Sequence, residues 1–485
     1  MTWRDELGKI IGSEAIFDDD EILEEYSKDN SFVPTRKPDL VAKPKSSTEI
    51  VNIVRWANDS GAPLIPVSSG PPRFRGDTIP RFGGVVVDLS RMNKIIRVDR
   101  RNRVALVEAG VTFPKFQAEV EKSGLRILMP LLPRISKSVV ASYLEREPIT
   151  TPKYHWDYSD PMLNLEIVFG PGEIMRTGDA AGPGTLEEQW SAKGAQKTPA
   201  GPFQLDYHRI VQGAQGTMGI VTWASVKCEV LPKIRKFVFA PTKKLESLLD
   251  FTYEMVKRRS CDECLFLNDF NLATILSEGA EIESLKRDLS PWYLIFSIAG
   301  YDRHPEERVA YLEKDIMNLA KQYGVFLDFA ISGVPLKKLE ESFTKPSPEP
   351  YWKLKFKGGC KDIFFLTTLD KVPNFITTMI KASESVGYPS TNIGAYIQPV
   401  VQGCGCHCEF NLPYDPTDMG EVSKIQEFFT LASEALMNIG AYYSRPYGPW
   451  ANMVYNRMAE YTATLRKTKN IFDPNNIMNP GKLCF

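Results

Sequence analysis

Apolar residues near the start of the chain recur at helical spacing between two short, continuously apolar runs. The apolar face of this helix consists of Ile50, Ile53, Val54 and Ala57. Ser46 and Glu49 form a capping box at its start, and Gly61 is typical of a helix end. With "PDLVAKP" before it and "APLIPV" after it, the segment 38–67 is predicted to be a strand, a helix and a strand.

The alternation of strand-like and helical segments continues to about residue 232. Further strands are predicted at 83–90, 103–110, 163–170 and 218–232, with a helix at about 113–123. Mixed strands and helices of this kind predict the α+β fold class. We therefore expect a first domain over residues 1–232.

A second α+β domain is predicted over residues 233–440. Its pattern includes a helix in 243–260, a strand in 291–302 and a long amphipathic helix in 304–324. The final stretch, 468–485, is rich in turn residues and has no periodicity. Since such a stretch has no core of its own, we expect residues 441–485 to dock on another part of the molecule.

Composition narrows the function classes. The chain has 485 residues, of which 43% are hydrophobic and 25% charged, as is ordinary for soluble globular proteins. Its 59 basic and 60 acidic residues nearly cancel, which argues against nucleic acid or an anionic membrane as the main partner and favours a small molecule. The N-terminus is too charged for a signal peptide and no apolar run is long enough for a membrane span, so we expect a cytoplasmic protein.

The cysteine and histidine pattern does not favour a metal site. Cys404, Cys406 and Cys408 alternate, so in a strand their thiols share one face while His407 lies on the other. Loop-type spacing of zinc or iron–sulfur ligands is missing there, and we expect packed thiols and no metal. The eight cysteines fit reduced thiols better than a disulfide framework. His304, at a probable helix start, is expected to be exposed.

Two segments have the composition of ligand-binding loops. The first, "SSGPPRFRGDTIP" (68–80), follows the second predicted strand, and Pro71 and Pro72 remove two backbone N–H donors from it. The second, "GAQGTMGIVT" (213–222), places three glycines at spacing three before a β-branched run. Glycine allows close approach of the backbone to a planar or pyrophosphate ligand, although a tight turn without a ligand explains the second segment equally well.

Several long stretches resemble one family of flavoproteins. "IIGSEAIFDDDEILEEYSKDNSFVPTRKPDLVAKPKSSTEIVNIVRWANDSGAPLIPVSSG", "GGVVVDLSRMNKIIRVDRRNRVALVEAGVTFPKF", "GAQGTMGIVT" and "FDPNNIMNPGK" are similar, in chain order, to glycolate oxidase subunits and D-lactate dehydrogenases. "SVVASYLEREPITTPKYHW" and "LEIVFGPGEIMRTGDAAGPG" resemble vanillyl-alcohol oxidase and p-cresol methylhydroxylase. The resemblance covers the whole chain. It implies a two-subdomain FAD-binding domain (1–232), a cap domain over the isoalloxazine (233–440) and a C-terminal segment (441–485) that returns to the FAD domain.

The resemblance implies FAD as the cofactor and three loops, at 66–81, 138–156 and 213–222, that bind it. The implied cofactor-binding residues are Val67, Ser68, Ser69, Gly70, Pro71, Pro72, Arg73, Gly76, Asp77, Pro80, Pro130, Ser138, Val139, Ser142, Trp156, Gly216, Gly219, Ile220, Val221, His407, Asn479 and Lys482. The loops depart from the family at Pro71 and Pro72, at Ala141 and Ser142, and at Glu147, which replaces a glycine. We therefore expect weaker FAD binding than is usual, with Arg73 and Arg75 replacing some of the lost positive field. A large side chain at Gly219 is expected to block FAD.

The resemblance also implies a substrate site. Arg445 matches an arginine that binds phenolate in phenol-oxidising relatives, while Ser444 and Arg75 stand where those relatives have tyrosines. We expect Arg75 and Arg445 to clamp a carboxylate or phenolate, with Tyr443 and Tyr447 as neighbouring donors and His155 or Asp157 as the base. The alternative is that both arginines only pair with acidic neighbours. His407 and Cys408 lie near the position where some relatives attach flavin covalently.

The predicted function is FAD-dependent oxidation of a phenolic, benzylic or hydroxy-acid substrate, with hydride passing to the flavin. The alternative is a family member that has lost flavin and serves as a structural or regulatory subunit of a redox complex. Expected partners are an anionic or phenolic small molecule, an electron-acceptor protein subunit and a second copy of the chain.

Overall fold

The computed structural model describes residues 2–153, 161–201 and 207–485, and its strands form three sheets. The first sheet has the order β1-β2-β4-β3, with β1 (Ile16–Phe17), β2 (Leu40–Ala42), β3 (Leu64–Val67) and β4 (Val85–Asp88). Strands β2, β4 and β3 are parallel, and Val85 pairs with both Leu40 and Leu64. This arrangement brings the end of β3 and the loop after it to one edge of the sheet.

The second sheet is antiparallel, with the order β5-β6-β10-β8-β9 and with β7 added to the end of β10. Its strands are β5 (Ile95–Asp99), β6 (Val104–Glu108), β7 (Leu125–Ile127), β8 (Met162–Phe169), β9 (Ile174–Arg176) and β10 (Gly219–Val230). The third sheet, also antiparallel, has the order β11-β13-β12-β15-β16-β14. Its strands are β11 (Ile234–Thr242), β12 (Cys264–Asn268), β13 (Trp292–Gly300), β14 (Gly359–Thr367), β15 (Gly394–Val400) and β16 (Gly405–Tyr414).

Helices cover the sheets. They are α1 (Trp3–Ile11), α2 (Asp20–Ser27), α3 (Ser47–Ser60), α4 (Phe113–Lys122), α5 (Val139–Leu144), α6 (Leu186–Ser191), α7 (His208–Val211), α8 (Leu249–Lys257), α9 (Asp269–Leu276), α10 (Glu281–Asp288), α11 (Pro305–Tyr323), α12 (Leu336–Thr344), α13 (Val372–Val386), α14 (Met419–Asn438), α15 (Pro449–Tyr455) and α16 (Ala459–Phe472). We call the third sheet with its helices the cap domain. Within the described ranges, none of these helices combines the length and the apolar character that a membrane crossing requires.

The helix predicted between the first two strands is confirmed as α3, but the predicted capping box forms only in part, because the Glu49 side chain accepts from the Lys45 N–H at 2.8 Å instead. Ser46 caps α3 by accepting from the Glu49 N–H at 3.2 Å, and Gly61 ends it with φ of 68°. The four predicted apolar residues of α3 are fully buried in a core shared with β2, β3 and β4. His304 is exposed at the start of α11, as expected.

Two segments differ from the sequence prediction. Residues 139–144, expected within a loop, form α5, because Ser138 accepts a hydrogen bond from the Ala141 N–H and so caps a helix. The stretch expected to be irregular from residue 468 is helical as far as Phe472. Beyond it the chain pairs with β3, since the Leu64 N–H donates to the Ile477 carbonyl at 2.8 Å.

The cysteine pattern follows strand alternation within β16, but Cys404 lies before the strand and is exposed, so the prediction of three packed thiols on one face is wrong for Cys404. Cys406 and Cys408 are fully buried in the apolar core of the cap domain, and His407 lies on the opposite face of the strand. Burial raises the pKa of both thiols, so they remain protonated. Strand alternation therefore places His407 and Glu409 together on the face turned away from that core.

Candidate functional site

A cleft of about 680 Å³ opens between the first and second sheets. Its walls are the end of β3, helix α5 and the turn that enters β10. Of the predicted cofactor-binding residues, those that line it are Val67, Ser68, Asp77, Gly216, Gly219, Ile220 and Val221. We call it the inter-sheet cleft.

The loop after β3 lines an adjoining cavity of about 650 Å³, which we call the loop cavity. The loop presents to it Ser68, Ser69, Arg73, Phe74, Arg75, Asp77 and Thr78. Gly70 and Pro71 instead contact residues 134–136: the Gly70 N–H donates to the Ser136 carbonyl at 3.0 Å, and the Ser136 hydroxyl donates to the Pro71 carbonyl at 2.8 Å. Neither Pro71 nor Pro72 is among the residues that line the loop cavity.

Arg73 holds this loop in place. Its guanidinium donates to the Ser69 and Glu25 carbonyls, each at 3.2 Å, and lies 4.5 Å from the centroid of the Tyr26 ring. The side chain is 7% exposed. Arg73 thus joins the loop to α2 and has few donors left for a phosphate.

Packing within the fold itself requires glycine at two positions of the second loop. Gly216 has φ of +73°, and a Cβ there would lie 2.5 Å from Pro66 Cγ, so the loop packs directly against the end of β3. A Cβ at Gly219 would lie 2.8 Å from the Val168 carbonyl oxygen of β8. A tryptophan at Gly219 would therefore disrupt the β8–β10 pairing as well as the cleft. Loss of FAD from such a variant would thus reflect disturbed strand pairing and not only a blocked cofactor site.

Several predicted cofactor-binding residues form hydrogen bonds that hold the loops in position. Ser138 donates its N–H to Ser69 Oγ at 3.1 Å and its hydroxyl to the Ala109 carbonyl at 2.6 Å. Asn479 donates to the Asp77 and Gln215 carbonyls at 2.9 and 2.7 Å, which ties the two loops together. Lys482 donates to the Gly76 carbonyl at 2.7 Å. These side chains position the loops that line the cleft.

A third cavity, of about 520 Å³, lies between the loops and the cap domain, and we call it the interface cavity. Its cationic residues are Arg75, Arg134, Lys137, Lys353 and Arg445. Two carboxylates, Glu147 and Glu409, face the same space. The other lining residues are Pro130, Leu131, Pro133, Pro148, Tyr351, Trp352 and Tyr396. Cations therefore outnumber carboxylates in this lining.

Buried ion pairs tie the cap domain to the loop. Lys353 Nζ lies 2.7 Å from Asp362 and 2.5 Å from Glu409, and Arg75 lies 3.5 Å from Asp362. Asn411 donates to both carboxylates at 2.8 Å. Burial alone would raise the pKa of Glu409, but Lys353 and His407 hold it well below the usual value. Asp362 thus already pairs with Arg75, as the alternative of pairing with acidic neighbours predicts for this arginine.

A second set of buried charged side chains lies where the three cavities meet. Lys137 is 2.6 Å from Glu145 and 3.4 Å from Glu147. Burial would raise the pKa of Glu147, but Lys137 and a hydrogen bond from Ser142 lower it to about 2. Asp77 behaves in the opposite way, since burial and the nearby Glu145 raise its pKa to about 6.

The raised pKa of Asp77 predicts a pH effect on stability. Because its folded pKa is above the unfolded value of 3.8, Asp77 favours folding most below about pH 4, and this contribution is lost as pH rises through about 6. The free energy of unfolding of Asp77→Asn should therefore exceed that of the parent by of order 1 kcal/mol above pH 6 and should equal it near pH 4. Thermal unfolding across this range measures the difference, and a variant less stable than the parent at pH 8 would contradict it.

Arg445 lies at the centre of the interface. Its guanidinium is 4.3 Å from the centroid of the Phe364 ring and donates to the Glu145 carbonyl and to His407 Nδ1, each at 3.4 Å. Since arginine only donates, Nδ1 must accept, so His407 carries its proton on Nε2 and donates it to Glu409 at 3.2 Å. Burial lowers the pKa of His407 to about 4, and burial and Arg75 lower that of Arg445 to about 10.

The hydrogen bonds of His407 revise its expected role. Both ring nitrogens are engaged, one by Arg445 and the other by Glu409, and the side chain is fully buried. We therefore assign His407 to orienting Arg445, in place of the predicted contact with flavin.

The tyrosines near Arg445 have different positions. Tyr443 is packed in the cap-domain core and donates its hydroxyl to the Ser433 carbonyl at 3.2 Å, so we leave it out of the candidate site. Tyr447 lines the inter-sheet cleft, and burial followed by Glu145 raises its pKa well above the usual value. The expected roles of His155, Trp156 and Asp157 lie outside the described residues.

Some site residues could not be picked out from the sequence. Arg134, Lys353 and Asp362 reach the cavities from three separate segments, and no local pattern connects them. Glu409 is different, since the strand alternation that placed His407 opposite the cysteines also places Glu409 beside it. The sequence therefore contains a signal for Glu409.

Comparisons with known proteins agree with the geometry. Residues 38–178 match the family model "FAD binding domain", and residues 451–483 match "FAD linked oxidases, C-terminal domain". The glycolate oxidase subunit GlcD of Bacillus subtilis is 24% identical, with 99% of this chain and 96% of the relative covered. The D-2-hydroxyglutarate dehydrogenase of Stutzerimonas stutzeri is 23% identical, with 99% and 98% covered.

Solved structures show the same fold along the whole chain. A crystal structure of p-cresol methylhydroxylase with substrate bound gives a TM-score of 0.85 at 18% identity, with 99% of this chain and 96% of that chain covered. A 4-ethylphenol oxidase from Gulosibacter chungangensis gives a TM-score of 0.80 at 20% identity, with the same shares covered. At these identities the likeness establishes the fold.

Proposed function

The chain belongs to the FAD-linked oxidoreductases with the fold of p-cresol methylhydroxylase, and from that premise we propose that it oxidises a small anionic substrate in the interface cavity. One observation carries the proposal: five cationic side chains converge on a single cavity next to the loops that line the inter-sheet cleft. A carboxylate or phenolate is the ligand that such a lining favours.

The residues of the two inner cavities fit FAD. The inter-sheet cleft and the loop cavity are continuous, because they share Pro66, Val67, Ser68, Asp77, Ala141 and Glu145. The cleft has apolar side chains from α5 and β10 for a flat ring system, and the loop cavity has serine hydroxyls and cationic groups for phosphates. When bound, FAD supplies the redox chemistry by taking two electrons and a proton from a substrate carbon.

The protein's own side chains orient the substrate. Arg445, fixed by His407, binds the anionic group, and Arg75, already paired with Asp362, adds positive field beside it. We assign the base that takes the second proton to His155 or Asp157. A substrate screen with an artificial electron acceptor tests the proposal: turnover of carboxylates or phenols, and not of their neutral analogues, would support it.

A colourless preparation that takes up no added FAD would instead indicate a structural or regulatory subunit. We further propose a cytoplasmic location, since the eight cysteines are all free thiols. Reduction of a protein acceptor, measured against oxygen consumption, would identify where the electrons go.

Ala141 provides a test of the cofactor position, because it lines both the inter-sheet cleft and the loop cavity. Ala141→Phe should purify with less than a tenth of the parental FAD, since the larger ring fills the junction. Ala192→Phe, at an exposed position, is the matched control and should keep its flavin. Visible absorption of the folded proteins measures the content, and full flavin loading of Ala141→Phe would show that FAD does not cross this junction.

A further inference from the structure

Arg134 is a buried cation that faces both the loop cavity and the interface cavity. Its side chain donates to the Gly70 carbonyl at 3.1 Å and lies 5.4 Å from the centroid of the Phe74 ring, and the residue is only 8% exposed. In the described part of the chain, no carboxylate lies within ion-pairing distance of it, whereas Arg75 has one and Lys353 has two. A buried charge without a counter-ion is costly, so an anionic ligand would stabilise this site.

Trp352, another residue that lines the interface cavity, also has an unsatisfied group. The residue is 2% exposed, and its indole N–H has no hydrogen-bond partner among the described residues. Trp450 shows the ordinary situation, since its indole N–H donates to Ser433 Oγ at 2.8 Å. Leaving a buried donor unpaired costs free energy, which an acceptor atom of a ligand would recover.

The remaining walls of the interface cavity are flat and apolar. Tyr351 and Tyr396 contribute rings, and Pro130, Leu131, Pro133 and Pro148 contribute aliphatic surface. The Tyr351 and Trp352 rings are 6.1 Å apart between centroids and tilted by 67°. Such walls suit a planar ring better than a flexible chain, because ring faces and edges make the preferred aromatic contacts.

We propose that Arg134 and the Trp352 indole N–H bind the carboxylate of an aromatic carboxylic acid, whose ring lies against Tyr351, Tyr396 and Leu131. The proposal rests on the function proposed above and names its substrate class. Arg134 supplies charge and Trp352 supplies a single directed donor, so the site distinguishes an acid from its amide or alcohol. Both residues are outside the set predicted from the sequence.

The test is equilibrium binding to the flavin-loaded protein, which requires no turnover. Benzoate, phenylacetate and 4-hydroxybenzoate are titrated beside 4-hydroxybenzamide, with binding followed by calorimetry and by perturbation of the flavin absorption spectrum. We expect at least one acid to bind, and to bind at least tenfold more tightly than the amide. Trp352→Phe, which keeps a ring and removes only the N–H, should weaken the acid about tenfold, and Arg134→Lys should weaken it at least as much.

Trp450→Phe is the matched control and should leave the dissociation constant unchanged. Equal binding of the acid to Trp352→Phe and the parent, or failure of all three acids to bind at millimolar concentration, would overturn the proposal. Loss of flavin from Trp352→Phe would also overturn it, since the N–H would then serve the cofactor. A different result would contradict the function proposed above: a parent protein that binds no flavin or oxidises no anionic substrate. If only the binding experiment fails, the proposed function stands.

Discussion

Lys353→Met should lower the free energy of unfolding by about 3–5 kcal/mol, because it leaves two buried carboxylates without their cation. Lys353 is 8% exposed and contacts Asp362 at 2.7 Å and Glu409 at 2.5 Å. The nearby Arg75 is 3.5 Å from Asp362 and does not replace the lost contact with Glu409. Denaturant unfolding of the flavin-loaded protein, followed by far-ultraviolet circular dichroism, measures the change.

The control for Lys353→Met is the same substitution at Lys345. That lysine pairs with Glu341 at 2.8 Å on the surface of α12, where its loss should cost less than about 1 kcal/mol. Adding Glu409→Gln to Lys353→Met should recover part of the loss. The deficit should also shrink in acid: the depressed pKa of Glu409 makes its contribution present above the usual value of 4.5 and lost as pH falls. Equal stability of the Lys353 and Lys345 variants would show that the buried ion pairs of Lys353 contribute no more to stability than an exposed pair does.

Arg445→Lys should reduce kcat/KM by a factor of about 30–1,000 and leave the flavin content unchanged. Truncating one partner of a buried charge pair typically costs about 2–4 kcal/mol, and each 1.4 kcal/mol is about a factor of ten. Lysine has neither the planar face that lies 4.3 Å from the Phe364 centroid nor the forked donors that reach both His407 and the Glu145 carbonyl. We expect the loss to fall on substrate orientation, since Arg445 itself lines the interface cavity and is not among the residues that line the inter-sheet cleft.

Steady-state kinetics on the best substrate of the screen, with flavin content measured on the same preparations, test this expectation. Arg457→Lys is the matched control, because Arg457 is exposed and contacts only Asn438 among the hydrogen bonds seen for its side chain in the described structure. Parental kcat/KM for Arg445→Lys with full flavin loading would contradict the role of Arg445 as an anion-binding residue. It would also remove the main reason for assigning an acidic or phenolic substrate.

The sequence predicted what depends on neighbours in the chain. Helix α3 and its cap, and the opposite faces of Cys406 and His407, all follow from local spacing and came out as expected. Contacts between distant segments did not follow from any pattern. The pairing of Arg75 with Asp362 crosses from the loop to the cap domain, and the direction of the proline-bearing loop depends on residues 134–136.

The choice between Tyr443 and Tyr447 shows the same limit. The two residues are four apart in an irregular segment, so neither helical nor strand periodicity states which one faces the cavities. Packing of Tyr443 against Trp450, with ring centroids 4.8 Å apart, decides the matter by turning Tyr443 into the cap-domain core. The resemblance to a family pointed to the segment 443–447. The fold shows which of the two tyrosine side chains lines a cavity.

The late position of Asn479 and Lys482 in the chain sets an order of assembly. These two side chains brace the loop at 76–77 across separations of 402 and 406 residues, and Asn479 also holds Gln215. Both sheets that precede the cap domain can therefore be synthesised before these contacts to the loop at 76–77 exist. We expect the two loops to be fully braced only after the segment around residue 480 has been synthesised and has paired with β3.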